Sequence, residues 1–235
     1  MTEVEIEVEP SEAGFDAKRL HRLGDHLDKY VDEGHLPGVN VLVSREGKIV
    51  YRHMYGQRDM ERALPVEADT IYRFYSMTKP ITSVAIMQLY ERGVFQLKDP
   101  ISNWIPSFAE SQVFVGGDAE NPQTREASRA ISIHDLLTHT SGLTYFFHMA
   151  HVVDEMYRRA GFDWTKSPGD LESQCDILAS LPLLFDPGTE WNYSYSTDVL
   201  GRLIEVMSGL SLDAYFKRNI FEPLGMVDTG FSVPS

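Results

Sequence analysis

Two neighbouring segments near the N-terminus have the pattern of paired β-strands, and they restrict the folds open to this chain. Residues 39–44 and 48–52 are rich in β-branched and aromatic side chains, and an Arg-Glu-Gly turn joins them. Before them, leucines recur every three to four residues over about 16–32, which indicates an amphipathic helix. Because a lone hairpin is only marginally stable in water, these two strands cannot be the whole sheet.

The remainder of the chain is typical of helices and loops rather than of further strands. Apolar periodicity and helix stop signals predict helices at about 76–92, 132–140, 171–180, 198–207 and 211–220. Thr197 or Asp198 is the expected N-cap of the fourth of these helices. Residues 106–131 lack a helical period, and 113–117 suggest a small hairpin. Either some helices are misassigned or the partner strands of the first hairpin lie outside this chain.

Composition excludes several classes of protein. The chain has 235 residues, and its 35 acidic against 21 basic side chains give a net charge of −14. Such a charge repels phosphate backbones and anionic lipids, so we expect neither a nucleic-acid nor a membrane partner. The single cysteine, Cys175, excludes an intramolecular disulfide and a multi-cysteine metal site. The sequence shows no signal peptide and no apolar run of about 20 residues, which favours a cytoplasmic location.

A serine and a lysine spaced for joint chemistry lie at the start of the second predicted helix. Ser76 and Lys79 are three residues apart, so both face the same side of a helix. Pro80 lacks an N–H and fits only the first turn, which places Ser76 at the positive helix end. A lysine beside a serine can remove its proton and make it a nucleophile. The spacing alone is a weak signal, because it also arises by chance.

A tyrosine-rich segment follows a Pro-Gly turn further along the chain. Residues 187–196 read Pro-Gly-Thr-Glu-Trp-Asn-Tyr-Ser-Tyr-Ser. A phenol held near an ammonium has a lowered pKa and can act first as a base and then as an acid, which makes Tyr193 a catalytic candidate. The alternative is that the aromatic side chains here only anchor the following helix.

The histidines offer one arrangement that could bind a metal. His148, His151 and Asp154 recur every three residues, so a helix would gather them on one face. Such spacings arise readily by chance in an acidic chain, and we expect neither a metal nor another cofactor.

Three segments together resemble the serine β-lactamase and penicillin-binding-protein superfamily. They are residues 73–79 (Arg-Phe-Tyr-Ser-Met-Thr-Lys), 136–143 (Leu-Leu-Thr-His-Thr-Ser-Gly-Leu) and 187–194, which end in Trp-Asn-Tyr-Ser. Within it the chain is most similar to class C β-lactamase-like esterases, also called family VIII carboxylesterases. The resemblance extends over residues 14–226, nearly the whole chain.

The resemblance implies a fold and a set of roles. The fold would be α/β (α+β), with a mixed sheet flanked by helices and a helical subdomain. Ser76 would be the acylated nucleophile, Lys79 would activate it, and Tyr193 would share the proton transfers and protonate the leaving alcohol. Side chains expected to line the substrate pocket, or alternatively to pack in the core, are Tyr75, Tyr145, Phe146 and Tyr195.

Two departures from the family pattern affect this expectation. The third position of the family's Tyr-x-Asn element is Tyr195, and loss of the asparagine that contacts an amide favours ester substrates. The third family motif (Lys-Thr-Gly, His-x-Gly or Trp-x-Gly) is not found, since residues 228–230 (Asp-Thr-Gly) follow residues 223–226 too closely to lie on the required strand. We interpret them as part of a loop. The strand that carries this motif borders the oxyanion hole, to which Ser76 N–H would contribute one donor.

These observations predict a serine hydrolase that cleaves small carboxylic esters through an acyl-enzyme on Ser76. The alternatives are a β-lactamase, an acyltransferase, or a catalytically incomplete fragment that serves as a binding module. We expect residues 1–75 to form the first helix and strands, and 76–235 to form a mainly helical region with the catalytic residues. The remaining strands are expected beyond residue 235 or on a complementary C-terminal polypeptide, and an oligomer is compatible with the sequence.

Overall fold

The computed structural model describes residues 5–165 and 168–233. The chain divides into two compact units, Met1–Arg73 and Phe74–Ser235. Each unit has a hydrophobic cluster of its own. In the described part of the chain, no helix combines the length and the apolar character needed to span a membrane.

The first unit combines one helix with a small antiparallel sheet. Helix α1 (Ala17–Asp32) begins where the Asp16 carboxylate accepts the N–H of Lys18 at 2.8 Å, a helix N-cap. The strands, in the order in which they pair, are β1 (Gly38–Arg45), β2 (Lys48–Asp59) and β3 (Leu64–Pro65). The predicted helix and hairpin are therefore present. The sequence did not predict β3, because two residues are too few to show a period.

The turn between β1 and β2 explains why this hairpin forms. Glu46 and Gly47 have φ angles of 53° and 77°, the left-handed pair that matches the twist of two antiparallel strands. The hairpin buries Val50 and Tyr51 against Leu20 of α1. These three side chains form the buried cluster of the first unit.

The second unit is mainly helical. Its helices are α2 (Thr78–Glu91), α3 (Ile133–Leu137), α4 (Val152–Arg159), α5 (Leu171–Ser180), α6 (Ser196–Ser208) and α7 (Leu212–Phe216), and its strands are β4 (Gln112–Gly117) and β5 (Pro122–Glu126). Helix α2 packs against α6, and α6 also contacts α3, α5 and α7. Helix α6 is thus central, and it buries Val199, Leu200, Leu203 and Ile204 in the core.

Two local predictions for this unit need correction, and one helix was missed. Helix α6 begins at Ser196 and its N-cap is Tyr195, so the predicted N-cap at Thr197 or Asp198 is wrong. The Ser194 hydroxyl accepts the Ser196 N–H at 3.4 Å and supports this earlier start. Helix α4 was not predicted as an element, since eight residues give few repeats of a helical period. The last helix changes after Phe216 into a π-helical turn over Lys217–Phe221.

Candidate active site

The N-terminus of α2 holds the predicted serine and lysine. Ser76 lies in a 3₁₀ turn over Tyr75–Met77, and α2 continues directly from it, with Lys79 as its second residue. Pro80 is the third residue of α2, where the helix has no carbonyl partner for a backbone N–H. The proline therefore fits without loss of a hydrogen bond, and Ser76 is placed at the positive end of the helix.

The structure brings Tyr193 to both residues. Its phenol donates a hydrogen bond to Ser76 Oγ at 2.6 Å. Lys79 Nζ lies 4.5 Å from the centroid of the Tyr193 ring, close enough for a cation–π contact. A hydroxyl, an ammonium and a phenol that are far apart in sequence thus form one cluster.

Competing effects set the pKa of the Tyr193 phenol. Partial burial raises this pKa, but hydrogen bonding with Lys79 and Ser76 and the charge of Lys79 outweigh burial. The net result is a lowered pKa. A phenol with a lowered pKa is deprotonated more readily. The phenolate can then accept a proton from a neighbouring hydroxyl.

Backbone hydrogen bonds hold the Tyr193 segment against the segment that follows α3. The His139 carbonyl accepts the Asn192 N–H at 2.9 Å, and the Thr140 carbonyl accepts the Gly188 N–H at 2.7 Å. The Asn192 side chain also donates to the Leu143 carbonyl at 3.0 Å. Residues 136–143 and 187–194, two of the segments that carried the family resemblance, are thus joined into one support beneath the phenol.

His139 is a site residue to which the sequence assigned no role. Its ring centroid lies 5.0 Å from that of Tyr193, and Nδ1 lies 3.3 Å from Ser194 Oγ. Burial, reinforced by the Lys79 charge, lowers the pKa of His139 to about 4, so the ring is neutral at pH 7. The signal in the sequence that could have identified His139 as a site residue is its position within residues 136–143, one of the segments that carry the family resemblance.

Asp198 is a second such residue, and the sequence suggested it only as a helix cap. It lies in the first turn of α6 and is half-buried. Burial raises the pKa of its carboxyl to about 6, although the charge of Lys79 acts in the opposite direction. A carboxyl close to Lys79 was not foreseeable from spacing, because the two residues lie on different helices.

The four residues suggested for the substrate pocket have different surroundings. Tyr75 is 73% exposed and has a left-handed φ of 45°, a strained conformation directly before the nucleophile candidate. Tyr145 is buried, its ring 5.1 Å from that of Tyr193 and 5.5 Å from Lys79 Nζ. Phe146 and Tyr195 are buried in the aromatic core of the unit. Contact of any of them with substrate stays a prediction.

The three residues considered as metal ligands form hydrogen bonds with other residues of the chain. Asp154 accepts the N–H of Ala150 at 3.0 Å and of His151 at 2.9 Å. His151 caps α4, and His148 Nδ1 lies 3.3 Å from the Thr144 hydroxyl. Within residues 5–165 and 168–233, no group of three or more His, Cys, Asp or Glu side chains is arranged to hold a metal ion.

The sequence placed residues 228–230 in a loop, and the structure agrees. They lie in turns and bends after α7, not on a strand. The expected role of the Ser76 backbone N–H as an oxyanion donor stays a prediction.

Comparison with known proteins identifies the family of this chain. The family model described as Beta-lactamase matches residues 23–235. The chain belongs to the β-lactamase family. The motif-based resemblance to its esterases and penicillin-binding-protein relatives is confirmed, and so is the mixed α/β fold.

Individual relatives are esterases and acyltransferases. The chain is 36% identical over 228 residues to esterase EstB of Burkholderia gladioli, covering 95% of this chain and 55% of that protein. It is 33% identical to the ML-236A carboxylate methylbutanoyltransferase of Penicillium citrinum, covering 97% and 55%. A solved structure, EstCE1, a hydrolase with promiscuous acyltransferase activity, superposes with a TM-score of 0.78 at 32% identity, covering 92% of this chain and 53% of that one. The chain thus spans about half the length of the relatives it matches.

Proposed function

We propose that this protein is a serine hydrolase that cleaves carboxylic esters through an acyl-enzyme on Ser76. The observation that carries the proposal is the 2.6 Å hydrogen bond between Tyr193 and Ser76, next to the ammonium of Lys79. The esterases among the relatives support the same class of reaction.

In the proposed reaction, the Tyr193 phenolate removes the proton of Ser76, and Lys79 stabilises the phenolate charge. Ser76 Oγ attacks the ester carbonyl carbon, and the Ser76 N–H donates to the resulting oxyanion. Collapse of this intermediate breaks the bond to the alkoxide, which takes the proton from Tyr193 or Lys79. Water then attacks the acyl carbonyl and gives a proton to Tyr193. The bond between the acyl carbon and Ser76 Oγ breaks, the acid leaves, and Tyr193 returns the proton to Ser76.

The substrate is proposed to be a small-molecule ester rather than an amide. Tyr195 occupies the position of the family's amide-contacting asparagine, and its side chain is buried among Tyr145, Tyr157 and Phe162. Its phenol thus lies in the core and does not replace the asparagine amide. This favours esters over peptides and β-lactams.

Acyl transfer is the second candidate function. Ser76 is exposed, so an alcohol as well as water could reach the acyl group. The methylbutanoyltransferase among the relatives and the promiscuous acyltransferase activity named for EstCE1 favour this candidate. An added alcohol that captures the acyl group faster than water would identify transfer.

Labelling of Ser76 tests the proposal. We expect a fluorophosphonate to add once to the protein, with the adduct on Ser76 by peptide mass analysis, and p-nitrophenyl butyrate to be hydrolysed. Ser76→Ala should abolish both, and Lys79→Met and Tyr193→Phe should each lower kcat/KM by about 10²–10⁴-fold. The control, Ser107→Ala, changes an exposed serine outside the site. Full activity of Ser76→Ala, or an adduct on another residue, would refute the acyl-enzyme.

A further inference from the structure

Three buried serine hydroxyls lie in series behind His139. Ser194 Oγ is 3.3 Å from His139 Nδ1 and 2.8 Å from Ser196 Oγ, which is 2.8 Å from Ser141 Oγ. All three serines are almost completely buried. Ser141 closes the series by accepting the Leu143 N–H at 3.2 Å. This hydroxyl chain (Ser141, Ser196 and Ser194) takes no part in the proposed reaction.

The direction of the protons along the hydroxyl chain follows from counting donors and acceptors. If Ser141 donates to Ser196, Ser196 to Ser194, and Ser194 to His139 Nδ1, every hydroxyl proton has an acceptor. In the opposite direction the Ser141 proton has no acceptor among the described residues. A buried polar group without a partner is costly, so the first direction is favoured. It leaves the proton of the neutral imidazole on Nε2.

We propose that His139 is a positioning residue for Tyr193, fixed by the hydroxyl chain as the neutral tautomer protonated on Nε2. The role assigned to Tyr193 rests on the proposed function. In this tautomer the only lone pair of the ring is bound by Ser194, so His139 is not the general base. Its contribution is packing, since the ring centroid lies 5.0 Å from that of Tyr193 and 6.3 Å from that of Trp191.

Two further observations support a positioning role. His139 has a left-handed φ of 54°, an unfavourable conformation for a non-glycine residue that the surrounding contacts must maintain. Its carbonyl accepts the N–H of Asn192, the residue next to Tyr193. Backbone and ring of His139 therefore hold the same segment from two sides.

Imidazole NMR tests the tautomer without any need for activity. In ¹⁵N-labelled full chain at pH 7, we expect His139 Nδ1 to have the shift of an unprotonated nitrogen and Nε2 that of a protonated one. In Ser194→Ala this pattern should change, because Nδ1 loses its donor. A protonated Nδ1 in the unmodified protein would overturn the tautomer assignment.

Variants test the positioning role through the Tyr193 phenol, again without turnover. In ¹³C-tyrosine-labelled protein, His139→Ala should raise the Tyr193 pKa towards the ordinary value of about 10, because the phenol moves away from Lys79. The double variant His139→Phe with Ser194→Ala restores a ring and removes both hydrogen-bonding partners, so it should return the pKa towards that of the unmodified protein. An unchanged Tyr193 pKa in a folded His139→Ala would overturn the proposal.

Kinetics separate this inference from the proposed function. If esterase activity is found, His139→Ala should lower kcat by about 10–100-fold with KM little changed, and the double variant should recover at least about fivefold. The control, Ser111→Ala, removes a buried hydroxyl that bonds the Phe108 carbonyl outside the site. A folded double variant as impaired as His139→Ala would contradict positioning. Absence of esterase activity would refute the proposed function, and the two NMR measurements would still decide the role of His139.

Discussion

At the scale of single residues, the Lys79 charge and burial together set the pKa of three titratable neighbours. The Lys79 charge lowers the pKa of Tyr193, His139 and Asp198. Burial favours the neutral form of each group, so it raises the pKa of the acids and lowers that of the histidine. The two effects act together only on His139, which is therefore firmly neutral. On Tyr193 and Asp198 they compete, and the outcome is a lowered pKa for the phenol and a raised pKa for the carboxyl.

The raised pKa of Asp198 predicts a stability that falls with rising pH. Between about pH 4 and 6 the folded chain holds a proton on Asp198 that the unfolded chain has released, so this contribution is lost as pH rises through the folded pKa of about 6. Asp198→Asn removes the carboxylate charge. We expect it to raise the free energy of unfolding by about 1–2 kcal/mol at pH 7.5 and by much less at pH 4.

Urea unfolding at the two pH values measures this difference. Asp176→Asn, an exposed position on α5, is the matched control and should show little effect at either pH. A gain for Asp198→Asn that is as large at pH 4 as at pH 7.5 would contradict a titration of Asp198.

At the scale of elements, the five-residue helix α3 directly precedes one segment of the candidate site. Ser132 and Asp135 form a capping box at the start of α3, and Arg129 binds both Asp135 oxygens at 2.6 and 2.9 Å. Burial alone would raise the pKa of Asp135, but the hydrogen bonds from Arg129 and Ser132 lower it. Helix α3 leads directly into the segment that contains His139.

Removing the Asp135 charge should therefore destabilise the protein. Asp135 is 1% exposed, and Asp135→Asn loses a buried charge pair while Arg129 stays partly solvated. We expect a loss of about 2–3 kcal/mol in unfolding free energy at pH 7. Because the folded pKa is lowered, this contribution is present above about pH 4 and disappears as pH falls through the folded pKa.

The comparison variant is Asp170→Asn, which replaces an exposed helix N-cap on α5 by a residue that caps about equally well and should cost about 0.5 kcal/mol or less. Urea unfolding at pH 7 gives both values. Equal losses in the two variants would show that Asp135 acts as a cap only.

At the scale of the whole molecule, hydrophobic burial is unevenly divided. The cluster of the first unit consists of Leu20, Val50 and Tyr51, whereas that of the second extends from Ala85 to Phe221. Since buried apolar surface is the main favourable term in folding, the first unit has less stability of its own.

Native-state hydrogen exchange should reveal this difference. We expect the paired amides of β1 and β2 to exchange at least about tenfold faster, after correction for intrinsic rates, than those in the middle of α6. Mass spectrometry of peptic fragments at pH 7 measures both regions in one sample, and Val50→Ala should accelerate only β1 and β2. Equal protection of the two regions would contradict the expectation.

Much of the local structure could be predicted from the sequence because its causes lie within a few residues. The turn at Glu46 and Gly47 and the proline in the first turn of α2 each act on their immediate neighbours. The earlier start of α6 was missed even though the Ser194 hydroxyl that supports it lies only two residues before Ser196. Helix α4 was missed for a different reason, since it is too short for its period to stand out.

The sequence by itself determined that Ser76 and Lys79 share one helix end, because a spacing of three residues and a proline in the first turn leave little choice. It also determined the family, because three motifs in a fixed order are specific. Only the tertiary structure decided that the Tyr193 phenol lies 2.6 Å from a serine 117 residues away, and that His139 and three buried hydroxyls lie beside it. Such contacts depend on the packing of α2, α6 and the loop after α3 around one core, and no local pattern encodes them.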